Sequence, residues 1–253
     1  PPHLGHLAAA RAAIEALELD KLLTVPAAVP PHKELPQGTP APEHRLTMAE
    51  KMTDALLMPG TAEVSTIELE RPGKSYTADT LAALREQYPD AQMWLLMGTD
   101  MFATFYQWHD PSSILAQAGI CAFGRSERDD KALFATLAEE LEETLPEAKI
   151  TVIPLPELVE ISSTELRELL AKGEGGDYLL PAIYGYILMN GLYSTHADLK
   201  RLDIPELRAC SYSMVMQKRV RHIRGTEEEA VRLARRWGAD EEMARRAGSL
   251  HDC

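Results

Sequence analysis

The chain has 253 residues, 45% of them hydrophobic, enough for one large domain or two smaller ones with packed cores. A formal net charge of −13 argues against a general nucleic-acid binder. No apolar run approaches the roughly 18–20 residues of a membrane span, and Cys121, Cys210 and Cys253, odd in number and without metal-ligand spacing, fit a reduced cytoplasmic protein with no signal peptide.

The chain opens on Pro1-Pro2-His3-Leu4-Gly5-His6-Leu7, an H-x-G-H tetrad ahead of an Ala-rich helix reaching about residue 17. A spacing of three predicts both imidazoles on one helix face. They fall at a helix N-terminus, where unsatisfied N–H groups and the macrodipole attract anions, and Gly5 lets a bulky ligand approach the backbone. Residues 22–26 read as a strand. The stretch 30–42, rich in Pro and Gly and carrying His32 and Lys33, reads as a loop over a site. Further strands are predicted at 62–69, 92–98, 119–123 and 149–153, with helical stretches between them. An acidic amphipathic helix at 129–147 reads as a solvated face. This alternation predicts an α/β fold with a mostly parallel sheet covered on both faces. Ligands then bind beyond the carboxyl ends of the strands, where Asp100 falls. Ser162-Ser163-Thr164 opens a helix at 165–171, a second anion site of hydroxyls and N–H groups.

The composition changes near 195–199. Residues 198–253 carry 12 Lys+Arg and 10 Asp+Glu, which leaves 14 and 29 of the totals of 26 and 39 to residues 1–197. A domain boundary is therefore expected between 1–197 and 198–253. The second segment reads as all-helical, with helices at 204–220, 226–237 and 240–250 broken at Gly225 and Gly238, and with Glu227-Glu228-Glu229 in the first turn of the middle one.

The tetrad, taken with Ile161-Ser162-Ser163-Thr164-Glu165-Leu166-Arg167, resembles the nucleotidylyltransferase superfamily, with its H-x-G-H and late I-S-S-T-x-x-R signatures. The intervening segments look like bacterial nicotinate-mononucleotide adenylyltransferases. They are residues 25–33, Arg45 to Met48, Ser75-Tyr76-Thr77 with Thr80-Leu81, Gly98-Thr99-Asp100, Phe105-Tyr106-Gln107-Trp108, and 180–193 ending in Asn190-Gly191-Leu192-Tyr193. The resemblance covers about residues 1–195. Family members begin with a short strand and a glycine-rich turn ahead of the position where this chain starts.

The resemblance implies a Rossmann-like domain that transfers AMP from ATP to nicotinate mononucleotide in NAD biosynthesis, with Mg²⁺ accompanying ATP and with neither nucleic acid nor membrane as partner. It implies catalytic roles for His3, His6, Lys33 and Arg167. ATP contacts would come from His3, Gly5, His6, Asp100, Ser162, Ser163, Thr164 and Arg167, and nicotinate contacts from Tyr76, Thr77 and Trp108. A pantetheine-phosphate or cytidylyl transferase shares H-x-G-H, but the Ser75–Thr77 and Trp108 elements argue against it.

His251-Asp252, closing an apolar helix, with His222 upstream, resembles the start of HD-domain metal-dependent phosphohydrolases of the branch that cleaves diadenosine tetraphosphate symmetrically. That resemblance implies a metal site at His222, His251 and Asp252, suited to Fe or Mn. Two readings from other classes stay open: an HD hydrolase with an inactive, nucleotide-sensing N-terminal domain, and a non-catalytic binding module.

Overall fold

The computed structural model describes residues 1–29, 38–124, 131–144, 148–155 and 159–252. In chain order its elements are α1 (Leu4–Ala16), β1 (Leu22–Thr24), α2 (Pro42–Asp54), β2 (Ala62–Val64), α3 (Thr77–Gln87), β3 (Met93–Gly98), α4 (Thr99–Ala103), α5 (Pro111–Gln117), β4 (Ala118–Phe123), α6 (Lys131–Thr144), β5 (Ile150–Ile153), α7 (Ser163–Ala171), α8 (Pro181–Met189), α9 (Ile204–Ser213), α10 (Gln217–Trp237) and α11 (Glu241–Leu250). They fall into two units, one of Pro1–Leu4, Gln37–Val64 and Ser162–Cys253, the other of Gly5–Pro36 and Ser65–Ile161.

The second of these units is built on a parallel sheet in the order β3-β4-β5. Met93 pairs with Ala118 and Gly98 with Phe123; Ile120 pairs with Ile150 and Phe123 with Ile153. Strand β4 is buried at all six positions, as a parallel strand covered on both faces should be. Its side chains alternate between two cores. Cys121 and Phe123 pack with Ala9, Ala12 and Ala13 of α1 and with Ile153. Ile120 and Ala122 pack with Ala78 and Leu81 of α3, Ile114 of α5, and Phe134 and Leu141 of α6. The period of two in β4 thus joins the sheet to helices on either side. The expected strand at 62–69 is shorter than its apolar pattern suggests, because Glu70 N–H donates to the Thr66 carbonyl at 3.0 Å and the Thr66 hydroxyl to the Glu70 carboxylate at 2.5 Å. Local bonds of this kind compete with a ladder and turn the chain at 66–71.

In the other unit α8 packs on α9, and α10 on α11. Gly185 makes the first contact possible: a Cβ there would lie 2.0 Å from the Ala209 carbonyl oxygen. Residues 162–253 lie in one compact unit. Asp203 caps α9 in a capping box with Glu206, and Asp240 caps α11.

Helix α10 runs unbroken through Gly225, contrary to the expected break. The chain turns at 214–216 instead, and Glu227 lies in mid-helix rather than in a first turn. Val220, Ile223, Glu227, Val231 and Ala234 form one buried stripe across the glycine. Burial along that stripe outweighs the roughly 1 kcal/mol that a helical glycine costs relative to alanine. Open space surrounds the Gly225 Cα. Gly225→Ala is therefore expected to stabilise the protein by about 0.5–1 kcal/mol, read from the denaturant midpoint; a destabilised variant would mean that α10 needs its glycine.

Candidate active site

Helix α1 begins at Leu4, so His3 stands immediately before it and His6 lies in its first turn. Only His6 therefore belongs to the helix, and His3 precedes it, so the expected helical spacing does not relate the pair. His3 is 5% exposed and His6 half-buried. Within its own unit, the start of the chain lies beside α7. Pro1 stands within electrostatic reach of the Arg167 guanidinium. The residues leading into the tetrad and the arginine of Ile161–Arg167 are thus neighbours, although some 160 positions separate them in sequence.

Helix α7 opens on a complete capping box. The Ser162 hydroxyl accepts from Glu165 N–H at 3.1 Å, and the Glu165 carboxylate accepts from Ser162 N–H at 2.8 Å. Hydrogen bonding from the Ser162 side chain, and then from its backbone N–H, holds the Glu165 carboxyl below the usual carboxylate range. Ser162 therefore shapes the helix start. Thr164 orients Arg167: Arg167 Nη2 donates to Thr164 Oγ1 at 2.9 Å. The same unit holds Tyr193, whose hydroxyl burial pushes up to about 12, against the opposite pull of Arg167 and Arg45. Tyr193 keeps a left-handed backbone at φ 55°, a conformation that costs a non-glycine residue about 1 kcal/mol or more. A cationic cluster of Arg167 and Arg45 around a buried phenol, in the same unit as the α7 N-terminus, suits a phosphate chain.

The other unit carries Gly5, His6, Tyr76, Thr77, Asp100 and Trp108. Asp100 lies in the first turn of α4, just past the carboxyl end of β3, on the rim where parallel sheets bind ligands. Thr77 is the first residue of α3, and Tyr76 at its N-cap gives the helix no side-chain cap. Trp108 is half-buried and packs one side on Phe105, ring centroids 5.5 Å apart, at the margin of the core. Lys33, with His32, lies outside the described residues.

Two features of this rim escaped the sequence reading. One is a polar hub. Glu68 accepts from the Thr80 hydroxyl at 3.0 Å and from Ala28 N–H at 3.4 Å, while Arg71 donates to Thr80 Oγ1 at 3.2 Å and to the Asp79 carbonyl at 3.3 Å. It ties residues 28 and 68–71 to the first turn of α3, and reading 62–69 as one strand hid it. The other is His109, stacked on Tyr76 with centroids 4.1 Å apart; an imidazole next to Trp108 was the available signal. The Ser75 hydroxyl, 5% exposed, is buried without a partner. Burial pushes the Cys121 thiol up to about 11, so it is no thiolate nucleophile at neutral pH.

On α10 and just past the end of α11 the ligand atoms of His222, His251 and Asp252 lie within 4.8 Å of one another. His251 Nδ1 is 2.8 Å from the Gly248 carbonyl, which leaves Nε2 with its lone pair outward, the arrangement of a metal-ligating histidine. Asp252 also accepts from Arg219 Nη2 at 2.5 Å, and Arg219 holds its carboxyl below the ordinary range. Among the described residues no helix is long and apolar enough to cross a membrane.

Residues 1–169 match the cytidylyltransferase-like family. The probable nicotinate-nucleotide adenylyltransferase of Chromohalobacter salexigens is 37% identical over 77% of this chain and 91% of its own length. That of Gloeobacter violaceus is 37% identical over 78% and 93%. Among solved structures, nicotinic acid mononucleotide adenylyltransferase of Plasmodium falciparum complexed with NaAD covers 78% of this chain and 93% of its own, at 18% identity and a TM-score of 0.60. The same enzyme complexed with APC gives 17% and 0.58. The shared fold is the Rossmann-like nucleotidyltransferase fold.

Proposed function

This chain belongs to the cytidylyltransferase-like family and, within it, to the nicotinate-nucleotide adenylyltransferases, and on that premise we propose that it transfers AMP from ATP to nicotinate mononucleotide, yielding deamido-NAD and pyrophosphate. The observation that carries this reading is the approach of Pro1, at the head of the H-x-G-H run, to Arg167 of the I-S-S-T-x-x-R run. A phosphate oxygen of nicotinate mononucleotide attacks the α-phosphorus of ATP. A new P–O bond forms, the bond to the bridging α,β oxygen breaks, and its electron pair leaves on pyrophosphate. The attacking phosphate is already a dianion, so no general base is required. Catalysis consists of positioning and of neutralising developing charge.

His3 and His6 donate to the triphosphate. Arg167, steadied by Thr164, and Lys33 supply positive charge. Ser162, Ser163, Thr164 and the α7 N–H groups cradle phosphate oxygens, Gly5 admits the chain closely, and Asp100 accepts from the ribose or adenine side. Mg²⁺, when bound with ATP, would supply charge neutralisation at the phosphate oxygens. Trp108 stacks on the pyridine ring, and Tyr76, Thr77 and the uncapped α3 N-terminus receive its carboxylate. An amide there leaves donors poorly paired, so kcat/KM for nicotinate mononucleotide is expected to exceed that for the amide by more than about tenfold. Equal values would reject the nicotinate assignment.

A second reading concerns residues 198–253, which we read as the N-terminal part of an HD-type helical domain. The convergence of His222, His251 and Asp252 supports it. Two imidazoles and a carboxylate suit a transition metal such as Fe or Mn, at bond lengths of about 2.0–2.2 Å. Arg219 would compete with the ion for Asp252 Oδ2. The group would supply an activated water for hydrolysis of a dinucleoside polyphosphate. Metal analysis of the purified protein is expected to find a transition metal that His251→Ala removes; a metal-free protein in which His251→Ala leaves diadenosine-tetraphosphate cleavage unchanged would reduce the segment to a helical appendage.

A further inference from the structure

We propose that His109 is a specificity-determining residue, a side-chain donor that reads the negative charge on the pyridine ring of the accepting nucleotide. The inference rests on the nicotinate reading above and extends it to a residue outside the matched motifs. Tyr76 and His109 lie 33 positions apart yet stack at 4.1 Å with a 38° tilt. The stack joins the two segments assigned to the ring, Ser75–Thr77 at the head of α3 and Trp108 at the end of the aromatic turn.

Tyr76 is a fixed partner. Its carbonyl accepts from Thr80 N–H at 3.1 Å and from the Thr80 hydroxyl at 3.3 Å, and Thr80 is held in turn by Glu68 and Arg71. Stacking on a residue whose backbone is held in this way limits the directions in which the His109 nitrogens point. Among the described residues those nitrogens make no hydrogen bond or ion pair. Neutral imidazole has one N–H donor whichever tautomer it adopts, and imidazolium has two. The nearest acid in sequence, Asp110, is already engaged, accepting from Ser113 N–H at 3.1 Å as the cap of α5. Beside the stack, Ser75 carries a buried hydroxyl without a partner, so this part of the rim holds more hydrogen-bonding capacity than the protein itself uses. A carboxylate on the ring would accept from His109, whereas a carboxamide turns an N–H₂ group toward at least one donor.

The test compares the protein with His109→Phe, which keeps a stacking ring and removes the donor, and with His109→Gln, which keeps a donor and removes the ring. The readout is the ratio of kcat/KM for nicotinate mononucleotide to that for nicotinamide mononucleotide, with ATP saturating. A hydrogen bond to a charged group predicts that His109→Phe lowers this ratio roughly tenfold while KM for ATP stays as in the parent. His109→Gln should retain a larger share of the preference than His109→Phe. A ratio unchanged in folded His109→Phe, or activity falling equally on both substrates, would reduce the stack to a structural clasp and overturn the proposal. A parent ratio near one would overturn the nicotinate reading and this inference with it; a clear parent preference that survives His109→Phe overturns this inference alone.

Discussion

His6→Ala is expected to lower kcat for adenylyl transfer by at least about a hundredfold, the scale of losing one preorganised donor to developing oxyanion charge. His6 is the cleaner of the two histidines to remove. His3 is 5% exposed, so truncating it also opens a hole in the packing, whereas His6 is half-buried in the first turn of α1. The effect should fall on kcat more than on KM for ATP, because the donor matters most as charge shifts toward the leaving pyrophosphate. A loss under about threefold would make the histidine a bystander.

Glu227→Ala should cost roughly 3–5 kcal/mol of stability, the range for breaking a buried charge pair by removing one partner. Glu227 is 2% exposed in the middle of α10. It accepts from Arg208 of α9 on both oxygens, at 2.8 Å from Nε and again from Nη2, and at 3.0 Å from each of Arg245 and Ser249 of α11. One carboxylate thus pins three helices, and its loss leaves two guanidinium groups without their buried partner. Arg208 first, and then Ser249 and Arg245, hold the Glu227 carboxyl below the ordinary glutamate range, against the opposing effect of burial. A group depressed in the folded state contributes fully above its unfolded value and loses that contribution as pH falls through the folded one. Denaturant unfolding of the parent should therefore weaken on the acid side of the glutamate range, and Glu227→Gln should flatten that dependence. A cost under about 1 kcal/mol for Glu227→Ala would mean that the hub is solvated and dispensable.

Much of the α/β layer was legible because its signals are local. The apolar runs that form β3, β4 and β5 are bounded by turns, and the burial of β4 on both faces follows from its lack of polar positions. The cap at Ser162 was legible because a capping box is written in four consecutive residues. What stayed hidden depends on tertiary contact. The continuity of α10 through Gly225 is decided by a stripe buried against α9 and α11, which no local propensity reveals. The shared unit of residues 162–253 depends on Gly185 meeting Ala209, a contact between residues on either side of the change in composition. The hub on Glu68 looked like strand, because alternating apolar residues resemble strand until Thr66 and Glu70 bond to each other. For the site, the two phosphate motifs could be read as complementary, but only the fold brings Pro1 to Arg167. His109 was missed because stacking on Tyr76 leaves no periodicity in the sequence, and its place beside Trp108 was the one signal.

The chemistry can be followed directly with ATP labelled at its α-phosphate, incubated with nicotinate mononucleotide and Mg²⁺. AMP transfer predicts that the label moves entirely into deamido-NAD, with one unlabelled pyrophosphate released per dinucleotide formed. Label that stays in ATP, or that appears as free AMP with no dinucleotide, would contradict adenylyl transfer as the reaction of this fold.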